Sequence, residues 1–127
     1  KIGENIDQRN EGKLDLILKE MLESSLMGIN KYDNFVIAYE PLWAIGTGIS
    51  ASPDQANDVC NKIKKLLMDY FGKSSEDITT PILYGGSVSE ENIKDFLEQD
   101  CIDGALIGSA SLNSEQFLSI IQTIDTL

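Results

Sequence analysis

The chain has no histidine. Its two cysteines, Cys60 and Cys101, form no C-x-x-C pair. Together these absences disfavour a zinc site, which draws on thiolate and imidazole ligands at close spacing. No other motif calls for a cofactor. The cysteines also lack the spacing of a disulfide framework, so both read as small core residues in a reducing, cytoplasmic setting. Basic residues are scarce: 10 Lys and Arg stand against 21 Asp and Glu, for a net charge of −11. No dense cationic cluster exists, which argues against nucleic acid or an anionic membrane face as a partner, because both are held by neutralising phosphates. The acidic surplus reads as solubility through self-repulsion. Long apolar runs are missing too. The longest, such as Phe35-Val36-Ile37-Ala38, fall far short of the ~20 residues of a spanning helix. No signal peptide is read before the first strand. The chain opens Lys1-Ile2-Gly3-Glu4 without an initiator Met, and reads as one that starts in mid-fold.

What is present fits one domain: 127 residues, 42% of them hydrophobic, enough for a core. From Gly12 to Met27, apolar Leu14, Ile17, Leu18, Met21, Leu22 and Leu26 repeat at helical spacing, and Gly28 is placed to end the helix in the left-handed conformation. Asn30 to Asn34 is a polar turn. Phe35 to Tyr39 is apolar without alternation, as in a strand buried on both faces of a parallel sheet. A glycine-containing loop runs from Pro41 to Ala51. Ser52-Pro53-Asp54-Gln55 then combines an N-cap serine, proline at the first helical position and a capping-box glutamine. Ala56, Val59, Cys60, Ile63, Leu66, Leu67, Tyr70 and Phe71 form the stripe of that helix, which Gly72 closes. The pattern recurs: strand Ile82 to Tyr84, a helix capped at Ser89 with Ile93, Phe96 and Leu97, strand Gly104 to Ile107, and a last helix with Phe117, Ile120, Ile121 and Ile124. Four βα units follow, hence right-handed crossovers and a parallel α/β sheet over residues 1–127.

In such folds functional groups gather where strands end and loops lead into helices. Those loops carry Glu4, Glu40, Gly85-Gly86-Ser87 and Gly108-Ser109. Glycine lets backbone N–H groups approach an oxyanion, and a following helix turns its positive end to the same place. Taken alone, Gly85-Gly86-Ser87 reads as a plain turn. Two such loops on neighbouring strands, facing one carboxylate, favour a phosphate cradle. Glu40 itself reads either as a strand-end salt-bridge partner or as a general base under a loop that shuts out water. Pro41 stiffens that loop, Trp43 would anchor its hinge, and Ala44 to Gly48 would form the moving tip, with Gly46 and Gly48 tolerating varied angles.

The run Ala38-Tyr39-Glu40-Pro41-Leu42-Trp43-Ala44-Ile45-Gly46-Thr47-Gly48 closely resembles the signature of the triosephosphate isomerase family of (β/α)8 barrels. Ile2-Gly3-Glu4 with Arg9 resembles the end of its fifth strand, Tyr84 to Val88 its seventh-strand phosphate loop, and Gly104 to Leu112 its eighth. The resemblance covers essentially the whole chain and implies the carboxyl-terminal half of a TIM barrel. It implies that the whole enzyme interconverts dihydroxyacetone phosphate and glyceraldehyde 3-phosphate through an enediolate, in glycolysis and gluconeogenesis. In a family that serves as a worked example of pKa tuning, Glu40 would be the base that shuttles the proton. Gly46, Ser87, Gly108 and Ser109 would contact the substrate phosphate. Pro41, Trp43, Ala44, Ile45, Thr47 and Gly48 would make up the lid, Tyr84 would brace it when shut, and Glu4 would support Trp43. A shut lid keeps the enediolate from shedding its phosphate.

Two residues depart from the family pattern. Ile49 stands where a lysine is common, which changes the second hinge. Ser109 stands where a glycine is usual, which keeps the N–H but requires backbone angles a Cβ permits. The electrophilic histidine and lysine of the family, and its dimerisation loop, belong to the first half of the barrel and are unassigned here. The 127-residue chain alone is therefore expected to be inactive, and to dimerise, aggregate or need its missing half. The competing reading is a non-catalytic half-barrel, either an assembly unit or a phosphate-binding module. A different phosphate-binding barrel enzyme fits less well, because of the Glu40-Pro41 signature.

Overall fold

Helix formation begins with its caps. In a computed structural model that describes residues 1–32, 34–45, 47 and 49–127, the longest helix, α3, covers Pro53–Phe71. The Ser52 hydroxyl accepts from the Gln55 N–H, the Gln55 side chain accepts from the Ser52 N–H, and Pro53 takes the first turn. Gly72 ends α3 at φ +61°. Helix α2, Leu14–Ser25, ends at Leu26 with φ −95°, so Gly28, at φ +81°, bends the chain two residues further on rather than ending the helix as the sequence suggested. Two short helices, α1 (Ile6–Asn10) and α4 (Ile93–Leu97), and a terminal α5 (Ser114–Ile124) complete the set.

The strands β1 (Ile37–Tyr39), β2 (Ile82–Tyr84) and β3 (Gly104–Ala105) form one parallel sheet in the order β1-β2-β3. Ile2 adds a parallel bridge to Tyr39 on the other side of β1. The Ile2 N–H donates to the Ala38 carbonyl, the Glu40 N–H to Ile2, and the Leu42 N–H to Glu4. Parallel order and β-α alternation therefore stand as the sequence implied.

Strand residues alternate between two faces. Ile37, Tyr39, Ile82 and Tyr84 face the helices and join Leu18, Leu22, Val59, Ile63, Leu67 and Phe96 in a single core. Each fully buried aliphatic side chain there contributes roughly 1.5–3 kcal/mol. On the other face Ala38 is buried, while Val36 and Leu106, just outside the strands, are 54% and 39% exposed.

Some expectations shift. β1 starts at Ile37 rather than Phe35, and β3 stops at Ala105 rather than Ile107, although Leu106 still donates its N–H to Tyr84. Among the described residues β3 has a neighbour on one side only, so nothing there extends its ladder. The Ser89 cap is replaced by Asn92, because Ser89 to Asn92 forms its own turn, with Ser89 accepting from both the Asn92 and Ile93 N–H groups. α1 was not read from the sequence. Its Asn5–Gln8 capping box is the signal that marks it. On α5 only Ile120 is buried, while Phe117, Ile121 and Ile124 stay exposed because no element among the described residues covers that stripe. Tyr70 is also exposed, its hydroxyl donating to the Leu26 carbonyl, and Cys101 is half-buried rather than a core residue.

Two measurements test this packing. A Cβ on Gly3 would lie 1.8 Å from the Glu40 carbonyl oxygen, so Gly3→Ala is expected to destabilise the chain by about 3 kcal/mol in urea unfolding. Burial, aided by the nearby Cys101 and Asp103, pushes the Cys60 thiol from 9.0 up to about 12. The unfolded chain releases this proton first. That share of stability is complete below pH 9.0 and is lost as the pH climbs toward 12. The urea midpoint is expected to fall across that window, and less steeply in Cys60→Ala.

Candidate active site

Glu40 leaves the end of β1 and is 8% exposed. Its backbone is held by Ile2 on one side, and the Gly85 N–H donates to the preceding Tyr39 carbonyl on the other. Its side chain lies over Gly85, where a Cβ would come within 2.6 Å of the Glu40 Cγ. The carboxylate therefore sits on the same rim as the 85–87 loop. It also forms an ion pair with the Lys1 Nζ at 3.0 Å. Glu40 is thus a salt-bridge partner, as one of the two sequence readings had it, and a buried carboxylate at a strand end.

Beneath the loop that follows sits Glu4, fully buried. Its Oε1 accepts from Arg9 at 2.7 Å, from the Trp43 indole N–H at 2.9 Å and from the Tyr39 hydroxyl at 3.2 Å. Arg9 also lies 4.8 Å from the Trp43 ring centre, a cation–π contact. Burial, followed by the Glu4 charge, raises the Tyr39 hydroxyl well above its ordinary value, so it stays a donor. The structure thus brings Glu4 and Trp43 together as expected and adds Tyr39, which the sequence reading passed over as a strand residue.

Pro41 has φ −63°, and Leu42–Ala44 forms a 3-10 turn. Ala44 is fully buried, and its carbonyl accepts from the Ser87 hydroxyl at 3.1 Å. Ala44 is thereby anchored rather than part of a free tip. Ile45 is exposed, and the Thr47 hydroxyl donates to the Trp43 carbonyl while accepting from the Ile49 N–H. The expected roles of Gly46 and Gly48 fall outside the described residues.

The loops after β2 and β3 meet across a cleft of about 520 Å³ lined by Gly85, Gly86, Ser87, Asn92, Gly108 and Ser109, among others. Among the described residues, no hydrogen bond within the chain engages the N–H groups of Gly86, Ser87, Val88, Gly108 or Ser109. Unpaired amides around a cleft are donors awaiting an acceptor. The helices that follow add little dipole, since α4 has five residues and Ser109–Leu112 is a single 3-10 turn. Tyr84 is buried, stacked on Phe96 at 4.1 Å, and fills the space where a Gly86 Cβ would be. Burial raises its hydroxyl, and the Ala51 backbone beside it, at the far end of the loop, partly offsets that without a hydrogen bond of ordinary geometry. No group of three or more metal-ligating side chains occurs among the described residues, and no helix there is long and apolar enough to cross a membrane.

Comparison with known proteins gives this rim a family. A family profile described as triosephosphate isomerase matches residues 2–124. Curated relatives named triosephosphate isomerase include one from Dehalococcoides mccartyi strain BAV1, 44% identical over 119 residues that cover 94% of this chain and 46% of the relative. Another, from Finegoldia magna, is 44% identical over 94% of this chain and 48% of its own length. A third, from Idiomarina loihiensis, is 44% identical over 95% of this chain and 48% of its own. The chain spans about half the length of the curated relatives it matches. With a match from Ile2 almost to the last residue, and a rim that carries the motifs in order, the chain belongs to the triosephosphate isomerase family.

Proposed function

We propose that this chain is the carboxyl-terminal half, strands five to eight, of a (β/α)8 triosephosphate isomerase. The assembled enzyme would interconvert dihydroxyacetone phosphate and D-glyceraldehyde 3-phosphate in glycolysis and gluconeogenesis, in the cytoplasm and as a homodimer. The observation that carries this reading is the Glu40 carboxylate against Gly85, next to a cleft ringed by unpaired amides. The half-barrel reading draws on the four parallel positions at Ile2, β1, β2 and β3, and on the exposed apolar residues Val36 and Leu106. It also draws on the open stripe of α5, and on the half-length overlap with relatives. The missing first half is the partner that would cover these surfaces.

The chemistry follows from the charges. A carboxylate beside the substrate takes a proton from one carbon and the electron pair moves onto the neighbouring carbonyl oxygen; the hydroxyl proton on the first carbon's oxygen then passes to that second oxygen, and the carboxyl group returns its proton to the second carbon, leaving the carbonyl on the first. When Glu40 accepts the proton it loses its charge, so its pair with Lys1 weakens at the same moment. The oxyanion that forms needs an electrophile. This chain has no histidine to serve, so that group would come from the first half. The phosphate would lie against the amides of Ser87, Gly108 and Ser109, with Gly46 as the lid's contribution. Ser109 has φ and ψ within a 3-10 turn, which a Cβ tolerates, so its departure from glycine leaves the donor in place. Trp43 on Glu4 and Ser87 on Ala44 would hold the start of the loop against the rim. Ile49, exposed, has no charge to add at the second hinge.

The competing reading is a non-catalytic half-barrel that assembles or binds phosphate without turnover. Reconstitution separates the two. The purified chain alone is expected to give no isomerase activity above a Glu40→Ala control. Mixed with the first half of a close relative it is expected to gain activity, and Glu40→Gln is expected to lower that activity at least about a hundredfold. Reconstituted barrel without turnover would favour the binding module. In the same mixture Gly85→Ala is expected to lower kcat by tenfold or more, on the order of what ~1 Å of misplacement does to a reacting group. Phosphate affinity should change little, because the displaced atom is the Glu40 Cγ.

A further inference from the structure

Asn92 occupies the N-cap of α4, yet its side chain makes no hydrogen bond to that helix. An N-cap asparagine ordinarily accepts from the first turn of its own helix. Here both ends of the carboxamide are committed elsewhere. Nδ2 donates to the Ser87 carbonyl at 3.0 Å, and Oδ1 accepts from the Ser89 N–H at 2.8 Å. One side chain therefore grips the peptide groups on either side of Val88. A peptide unit is planar and trans, so its carbonyl and the next N–H point in opposite directions. Fixing the Ser87 carbonyl on Asn92 thereby fixes the direction of the Val88 N–H, and fixing the Ser89 N–H does the same for the Val88 carbonyl. Ser87 in turn reaches across to the Ala44 carbonyl of the preceding loop. Asn92, half-buried, lines the same cleft as Ser87, Gly108 and Ser109.

We infer that Asn92 is a positioning residue for the anion cradle: its two-point clasp sets the two peptide planes flanking Val88, so that the Val88 N–H, one of the unpaired amides lining the cleft, is aimed before the phosphate arrives. The inference rests on the phosphate-cradle reading and deepens it. Glycines at 85 and 86 leave this turn free to take many backbone conformations, and a turn that must find its shape during binding spends part of its affinity on ordering. The clasp removes that expense. It also accounts for an N-cap that leaves its helix uncapped by a side chain.

The test is a titration with inorganic phosphate, at fixed ionic strength, of the labelled chain assembled with the first half of a close relative, followed by amide NMR. In the wild type the amides of residues 86–88, 108 and 109 are expected to shift in a saturable way. Asn92→Ala is expected to weaken binding about tenfold, the scale of two lost orienting hydrogen bonds. Asn92→Ser guards against a folding artefact, because serine is a good N-cap but too short to hold both partners. It should keep the wild-type thermal midpoint, bind phosphate as weakly as Asn92→Ala, and move the free-state shifts of 87–89. A folded Asn92→Ser with wild-type affinity would overturn the inference and leave the cradle standing. A wild-type chain whose 86–88 amides ignore phosphate would overturn the cradle and the inference with it.

Discussion

The Glu40 backbone lies so close to Gly3, and its side chain so close to Gly85, that neither neighbour has room for a Cβ. On one side the contact is backbone to backbone, and it lets Ile2 to Glu4 run alongside residues 38–42 as an added strand end. On the other it is side chain to backbone, and it lets the carboxylate lean across the top of β2. The position of one acid is thus set by two absent atoms. The rest of the rim is arranged around that acid: the buried Glu4 below the next loop, the unpaired amides beyond Gly85, and the cleft between them.

Glu4 converts a charge that would be costly to bury into a joint. Three donors from three segments converge on a single oxygen: Arg9 from α1, Tyr39 from β1 and Trp43 from the loop. Charge-assisted hydrogen bonds are stronger than neutral ones, and a buried carboxylate loses heavily if they break. The loop after Glu40 is therefore fastened at its start, while Ser87 takes hold of Ala44 one turn later. These fastenings fix the start of the loop against the rim.

Much of this was legible in the residues. The capping box at Ser52, the left-handed glycines at 28 and 72, and the alternation of strand and helix are local signals, and local energetics decide them. Glu40, Glu4, Trp43, Ser87, Gly108 and Ser109 were likewise marked by their places at strand ends or in the loops that follow. What escaped was non-local or side-chain specific. β3 looked longer because Leu106 and Ile107 have strand character, but a strand with one neighbour among the described residues has little to extend it. The stripe of α5 was correct in phase yet mostly open, since periodicity tells which face is apolar and not what lies opposite it. Asn92 was missed as a clasp because an asparagine before a helix has an ordinary explanation, and only coordinates reveal that its carboxamide turns away from that role.

The single tryptophan has an optical consequence. Its indole N–H rests on the Glu4 carboxylate and its ring beneath the Arg9 guanidinium, both within the joint that fastens the loop. Indole emission responds to charged neighbours and to water. Excited at wavelengths where its four tyrosines do not absorb, the emission of this protein therefore comes from the start of this loop alone, without any attached dye.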